Sequence, residues 1–200
     1  RYKAHLEQGK NARTLPDATE DDKEAVADLF LLTMKPMLYI ANVDESNLHE
    51  DNNYVKALRE AVKAENSDII RICAALESQI AEISDREERK MFLQEYGLQE
   101  SGLDLLIRGA YALLNLITYF TAGEKEVRAW TIERGWKAPQ AAGVIHSDFE
   151  RGFIKAEVIK LSDYLTLKSE TACKEAGKMA MQGKDYVVED GDIMHFRFNV

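Results

Sequence analysis

Asn42 and Glu45 stand just beyond a short continuous apolar run, Met37-Leu38-Tyr39-Ile40-Ala41, and they are the side chains whose types and spacing best suit chemistry. A run of that kind suits a strand buried on both faces of a parallel sheet, and ligands of open α/β sheets bind in the crevice beyond the carboxyl ends of such strands. A carboxamide offers a donor and an acceptor, matching the N6 amino group and N7 of adenine. An aspartate at the Glu45 position would accept from N1–H and the 2-amino group of guanine, but adenine has neither donor. Glu45 is one methylene longer than that aspartate, which weakens guanine selection, and a backbone N–H near Val43 then becomes a donor to adenine N1. The alternative is plainer: Asn42 caps a loop and Glu45 is solvated.

Other candidates carry less. Cys73-Ala74-Ala75 ends a second apolar run, and small residues there let a ring approach the backbone, although packing accounts for them equally well; Cys73 itself suits a small buried hydrophobe. No phosphate cradle is present: Gly177 and Gly183-Lys184 are one residue too far apart for G-x-x-x-x-G-K-[ST], and Asp185 follows where a hydroxyl is required. His5, His49, His146 and His195 have no metal-ligand spacing, so no metal is expected. Trp130, Trp136, Tyr186, Phe196 and Phe198 suit either a base-stacking platform or, at strand spacing, a core.

Two hundred residues with 46% hydrophobic and 30% charged side chains supply core for one large or two small domains, and two are expected. No apolar stretch approaches the roughly 18 residues that span a bilayer, so no membrane partner is expected. Cys73 and Cys173 have no metal spacing, and a chain of this size needs no disulfide, which fits a reducing cytoplasm. The opening Arg-Tyr-Lys-Ala has neither Met nor a leader, leading to the expectation of further polypeptide upstream. Net charge is −9, spread unevenly. Residues 1–117 hold 14 Lys+Arg against 22 Asp+Glu, and residues 118–200 hold 12 against 13. The second part can therefore present a basic face through Lys155, Lys160, Lys168, Lys174 and Lys178.

The elements that must position these residues follow from periodicity. Residues 1–9 read as the end of a helix, Thr19 caps a helix with its apolar face over Ala25–Met34, and Pro36 stops it before the first strand. A helix over Tyr54–Glu65, a strand over Asp68–Ala74, and helices over 76–83, 86–96 and 103–117 complete a parallel βαβ unit. Two strands make a poor open sheet alone, so others must be supplied from elsewhere. Beyond Gly123 the texture becomes α+β: alternation at Val127–Ile132 and Phe153–Val158, a helix opening at Pro139, another over Ser169–Met179, and a closing hairpin of Tyr186–Val188 and Ile193–Phe198 about Asp190-Gly191.

Taken together, Leu38–Glu45, Gln99–Asp104, Leu116–Gly123, Arg128–Ile132, Ala138–Phe153 and Lys184–Val200 closely resemble the Obg-like ATPase (YchF) family, over essentially the whole chain. The resemblance implies α/β plus α+β architecture. Residues 1–35 would end an inserted helical arm and its return helix. Residues 36–117 would form the carboxyl-terminal part of a P-loop nucleotide domain of the translation-factor GTPase type, and 118–200 a β-grasp TGS domain. It implies purine selection by Asn42, Val43 through its backbone, and Glu45, with Cys73, Ala74 and Ala75 at the second base-contacting loop; Ala75 stands where related switches often carry Lys. The intact parent would hydrolyse ATP with Mg²⁺, GTP more weakly, and bind the large ribosomal subunit and its RNA, not DNA. The chain alone would hold no nucleotide and have no activity. The competing reading is a non-enzymatic ribosome- or RNA-docking module.

Overall fold

The computed structural model describes residues 1–65, 67–123 and 126–199 and divides into two units, Arg1–Leu113 and Leu114–Val200. In the first, Tyr2–Leu6 (α1) and Glu20–Glu24 (α2) precede Tyr39–Asn42 (β1), Asn53–Val62 (α3), Ile69–Ile72 (β2), Ala74–Glu82 (α4), Arg86–Glu95 (α5) and Gly102–Leu113 (α6). β1 and β2 form one parallel pair in the register Tyr39–Ile69 through Asn42–Ile72. Ala41 and Val43 are buried against Val55 of α3, with Leu58 and Ile69 beside them. The opposite face receives α6, where the missing side chains of Gly102 and Gly109 permit close approach. A Cβ at Gly109 would lie 2.9 Å from Ile70 Cδ1, and one at Gly102 2.7 Å from Ile72 Cγ2.

Three expectations for this unit change. The strands are not buried on both faces: Met37 and Ile40 are each 37% exposed and all of β2 is half-buried, because each strand has one neighbour and one open edge. The helix expected over Ala25–Met34 is replaced by 3-10 turns at Ala27–Leu29 and Leu32–Met34, with Phe30 left-handed at φ 47°. Helices draw most of their stability from a buried face, and here Leu29, Phe30 and Leu32 remain exposed. The last helix stops at Leu113 rather than 117, since Asn115 turns left-handed at φ 55°.

The second unit comprises Leu116–Ala122 (β3), Val127–Glu133 (β4), Ala138–Ile145 (α7), Ser147–Arg151 (α8), Phe153–Lys160 (β5), Leu161–Leu167 (α9), Glu170–Glu175 (α10), Met179–Gln182 (β6) and Asp192–Phe198 (β7). The sheet order is β4-β3-β7-β5-β6, with β3 parallel to β7 and the other pairs antiparallel. Alternation gives it two buried faces. Ile117, Tyr119, Val158 and Met194 pack with the small face of α7 (Ala138, Ala141, Ala142), whereas Ile159 and Ile193 pack with Cys173 and the partly buried Tyr164 and Leu167. Trp130, Trp136, Tyr186 and Phe196 pack against the first of these cores, and Phe198 stacks on Phe149 at 3.8 Å, so these aromatics build the unit.

The helix expected over Ser169–Met179 ends at Glu175. There the Gly177 N–H donates to Lys174 O and the Lys178 N–H to Cys173 O, a Schellman closure with Gly177 at φ 69°, and Met179 starts β6. The closing hairpin is also corrected. Asp190-Gly191 turns as expected, but Asp190 Oδ1 accepts from Thr118 N–H and Gly191 N–H donates to Thr118 O, both at 2.8 Å. These bonds steer β7 into the middle of the sheet, and Val187 bridges Lys137 instead. The basic face thins as well: Lys178 pairs with Asp163, and Lys160 with Glu189 and the fully buried Asp192.

Burial, together with the hydrogen bond to Asp192, pushes the Tyr186 phenol up from 10.0 to about 12, and Lys160 only partly opposes this. A raised folded value means that stability is fully present below the unfolded value and is lost as pH rises through the folded one. The second unit should accordingly lose stability between pH 10 and about 12, and Tyr186→Phe should flatten that decline in urea titrations. An unchanged decline in the variant would exclude Tyr186 as its source.

Candidate functional site

The carboxyl end of β1 and the junction of β2 with α4 form one rim. Asn42, the last residue of β1, is exposed, and its Oδ1 accepts from the Ala74 N–H at 3.0 Å. An N–H can only donate, which fixes the amide assignment: Oδ1 accepts from the first turn of α4, and Nδ2, on an exposed side chain, has no hydrogen bond among the described residues. The bond also satisfies one of the orphan N–H groups in the first turn of α4. Cys73, the N-cap residue, is buried, whereas Ala74 and Ala75 are exposed with only methyl groups over the backbone. Position within the helix leaves the Ala75 N–H without an intrahelical acceptor.

Val43 is placed differently from expectation. It is buried at 9% exposure, and its N–H donates to Ile72 O at 2.8 Å, extending the ladder one step past β1. The backbone donor near this point is instead Asp44 N–H, which has no hydrogen bond among the described residues. Glu45 opens a 3-10 turn, Glu45–Asn47, and its exposed carboxylate has no ion pair or hydrogen bond among the described residues. The structure therefore brings Asn42 together with Ala74, keeps Val43 as a ladder residue, and leaves Glu45 extended into solvent. A cavity of about 250 Å³ lies beside Asn42, lined by Ala41, Val43, Asn52, Tyr54, Val55 and Leu58, and includes neither Glu45 nor Cys73–Ala75.

The loop carrying Glu45 is tied at its far end. Asp51 pairs with Arg59 of α3 and, at 2.8 Å, with Arg71 of β2. The Arg59 hydrogen bond, with Arg71 adding to it, holds the Asp51 carboxyl below the usual carboxylate range against the opposing effect of desolvation. His49 Nε2 lies 2.8 Å from Tyr96 O at the end of α5. Sequence reading missed these ties because their partners lie beyond helical spacing. Asn52 was findable: it stands three residues before Val55, whose N–H donates to Asn52 Oδ1 at 2.9 Å as an N-cap.

Chemically, the rim offers an exposed amide donor, two backbone N–H donors and an exposed carboxylate, which fits the polar edge of a purine. It offers nothing for a triphosphate. Among the described residues, no three His, Cys, Asp or Glu side chains converge as a metal site.

A family model described as a protein of unknown function, DUF933 (YchF-GTPase_C), matches residues 116–199. The chain is 52% identical over 202 residues to the ribosome-binding ATPase YchF of Bacillus subtilis (strain 168), covering 100% of the chain and 55% of that protein. It is 55% identical over 184 residues to the ribosome-binding ATPase YchF of Escherichia coli O157:H7, covering 92% and 50%. The Schizosaccharomyces pombe YchF GTPase superposes with a TM-score of 0.82 at 37% identity, over 98% of the chain and 52% of that structure. The chain thus spans about half the length of the curated relatives it matches. The length and identity of these matches, over both units, place this chain in the YchF family.

Proposed function

We propose that the intact protein is a cytoplasmic, ribosome-associated ATPase in which this chain supplies the base-selecting rim and a TGS-type β-grasp unit. One observation supports the reading: the exposed Asn42 is held by Ala74 through its Oδ1, which leaves Nδ2 as the donor at the end of a parallel strand, where ligands of open α/β sheets bind. Nδ2 donates to purine N7, Asp44 N–H is available to adenine N1, and Glu45 selects against guanine by being longer than aspartate. Val43 seats the strand end through its bond to Ile72, while Ala74 and Ala75 leave room for the ring above α4. ATP and Mg²⁺ would supply phosphoryl transfer to water, which depends mostly on positioning and charge stabilisation. The sequence contains no G-x-x-x-x-G-K-[ST] phosphate cradle, and in this reading the chain alone should bind neither ATP nor GTP.

The order β4-β3-β7-β5-β6, with β3 and β7 parallel, supports the β-grasp assignment for residues 118–200. Residues 36–117 are the end of the nucleotide domain and residues 1–35 the return from an inserted arm. The relatives' printed names support a ribosomal partner, which we place on the large subunit and its RNA.

The test is a pair of calorimetric titrations on the intact protein. ATP should bind more tightly than GTP, and Glu45→Asp should narrow the preference about tenfold, equivalent to one charged hydrogen bond to the guanine edge. If Glu45→Asp leaves the preference unchanged, selection lies in the backbone donors. If GTP binds the unaltered protein more tightly, the adenine reading falls.

A further inference from the structure

The purine-facing rim has two halves, the end of β1 and the β2–α4 junction, and something must hold the second half in register with the first. Among the described residues, the Asn42 side chain hydrogen-bonds to Ala74 alone. Behind that junction lies Glu77, one turn further along α4 and on the same face as Ala74. Its carboxylate turns away from its own helix and accepts from the first turn of α6: the Gly102 N–H donates to Oε1 at 2.7 Å and the Leu103 N–H to Oε2 at 3.1 Å. These are orphan donors of α6, and a carboxylate bound to a helix N-terminus also gains from the helix dipole.

The fit admits no side chain at residue 102. A Cβ there would lie 2.7 Å from Ile72 Cγ2 and 2.8 Å from Glu77 Oε1. Gly102 therefore touches the last residue of β2 and the first turn of α4 at once, on either side of Cys73. Ser101, 6% exposed, fixes the start of α6 through its hydroxyl, which accepts from the Asp104 N–H at 3.0 Å. Ser101 and Asp104 are a local cap, whereas the glycine at 102 has a reason that no local pattern supplies.

We infer that Glu77, seated on the Gly102 and Leu103 N–H groups, is a positioning residue for nucleotide-base recognition, setting the height of Ala74 and Ala75 under the purine. The inference rests on the proposed base site. Glu77 touches no ligand; it acts through Ala74, and through Ala74 on the orientation of Asn42.

The test uses the intact protein, with ATP and inorganic tripolyphosphate as calorimetric probes. Tripolyphosphate has no base and reports the phosphate grip alone. Glu77→Ala should weaken ATP about tenfold, a little over one hydrogen bond, while tripolyphosphate moves less than about twofold on the same scale. Glu77→Gln, which retains an acceptor, should recover most of the loss. Combined with Asn42→Ala, the Glu77→Ala effect should shrink, because both act on one contact.

Equal weakening of both probes would make Glu77 merely structural and overturn the inference. So would unchanged ATP binding by Glu77→Ala in a protein where Asn42→Ala weakens ATP. If Asn42→Ala itself leaves ATP binding unchanged, the base site has failed, and the inference falls with it by a separate route. Should Glu77→Ala not fold, Gly102→Ala pushes the same contact apart from the other side and must give the same split between the probes; weakening of both, or of neither, overturns the inference.

Discussion

Asp192→Ala should lower the stability of the second unit by about 3 kcal/mol, the cost of removing a buried carboxylate that satisfies several donors. Asp192 is 0% exposed at the start of β7. It accepts from Lys160 Nζ at 2.7 Å, from the Tyr186 hydroxyl at 2.6 Å and from the Glu189 N–H at 2.9 Å. Removing it leaves the Tyr186 hydroxyl proton and the Glu189 N–H without their acceptor, although the hydroxyl still accepts from Lys160 Nζ at 2.8 Å, and takes one of two carboxylates from Lys160, which keeps Glu189 at 3.0 Å. Lys160 is 41% exposed and recovers part of its solvation, which holds the loss near the lower end for a broken buried pair. For a unit of this size the loss corresponds to a fall in Tm of roughly 15 °C. Both tryptophans of the chain, Trp130 and Trp136, lie in this unit, so fluorescence reports its unfolding selectively. A loss below about 1 kcal/mol, the worth of one ordinary hydrogen bond, would show that the cluster is solvated in solution.

Asn42→Ala, in the intact protein, should weaken ATP by roughly 10- to 30-fold. One hydrogen bond to the purine accounts for about 1–1.5 kcal/mol, and 1.4 kcal/mol is tenfold. The remainder comes from freeing the Ala74 N–H, which then competes for water at the rim. Tripolyphosphate binding should stay level, since Asn42 faces no phosphate in this reading. Stability should change little, because Asn42 is exposed and the Ala74 N–H can turn to solvent. An ATP affinity within about twofold of the unaltered protein would remove Asn42 from the site.

Much of this was legible before any coordinates. Met37–Ala41 announces β1 by continuous apolar character and Asp68–Ala74 announces β2 by its isoleucines, and Asn42 follows from standing at the end of the first. Local signals are blind to edges, however, so the half-exposure of both strands could not be read. The Val43 N–H was misassigned for a related reason: sequence shows where a strand loses its apolar residues, not where its ladder stops, and here it runs one step on to Ile72 O. Glu77 was invisible because its partners lie 25 and 26 residues away, with nothing periodic to join them. At Asp190-Gly191 the turn chemistry was right, but the strand it launches pairs with β3 and β5, a choice made by bonds to Thr118 some seventy residues earlier.

The place of β7 has a consequence for synthesis. The final strand of the second unit is the middle strand of its sheet, lying between β3, the first strand, and β5. The β3–β4 hairpin and the β5–β6 pair can form early, but no strand joins them until residues 192–198 arrive. Long-range strand pairing of this kind is slow and leaves unpaired edges in the interim. During translation the β3–β4 hairpin and the β5–β6 pair must therefore wait, open-edged, until β7 clears the exit tunnel, and the sheet closes in a single late step.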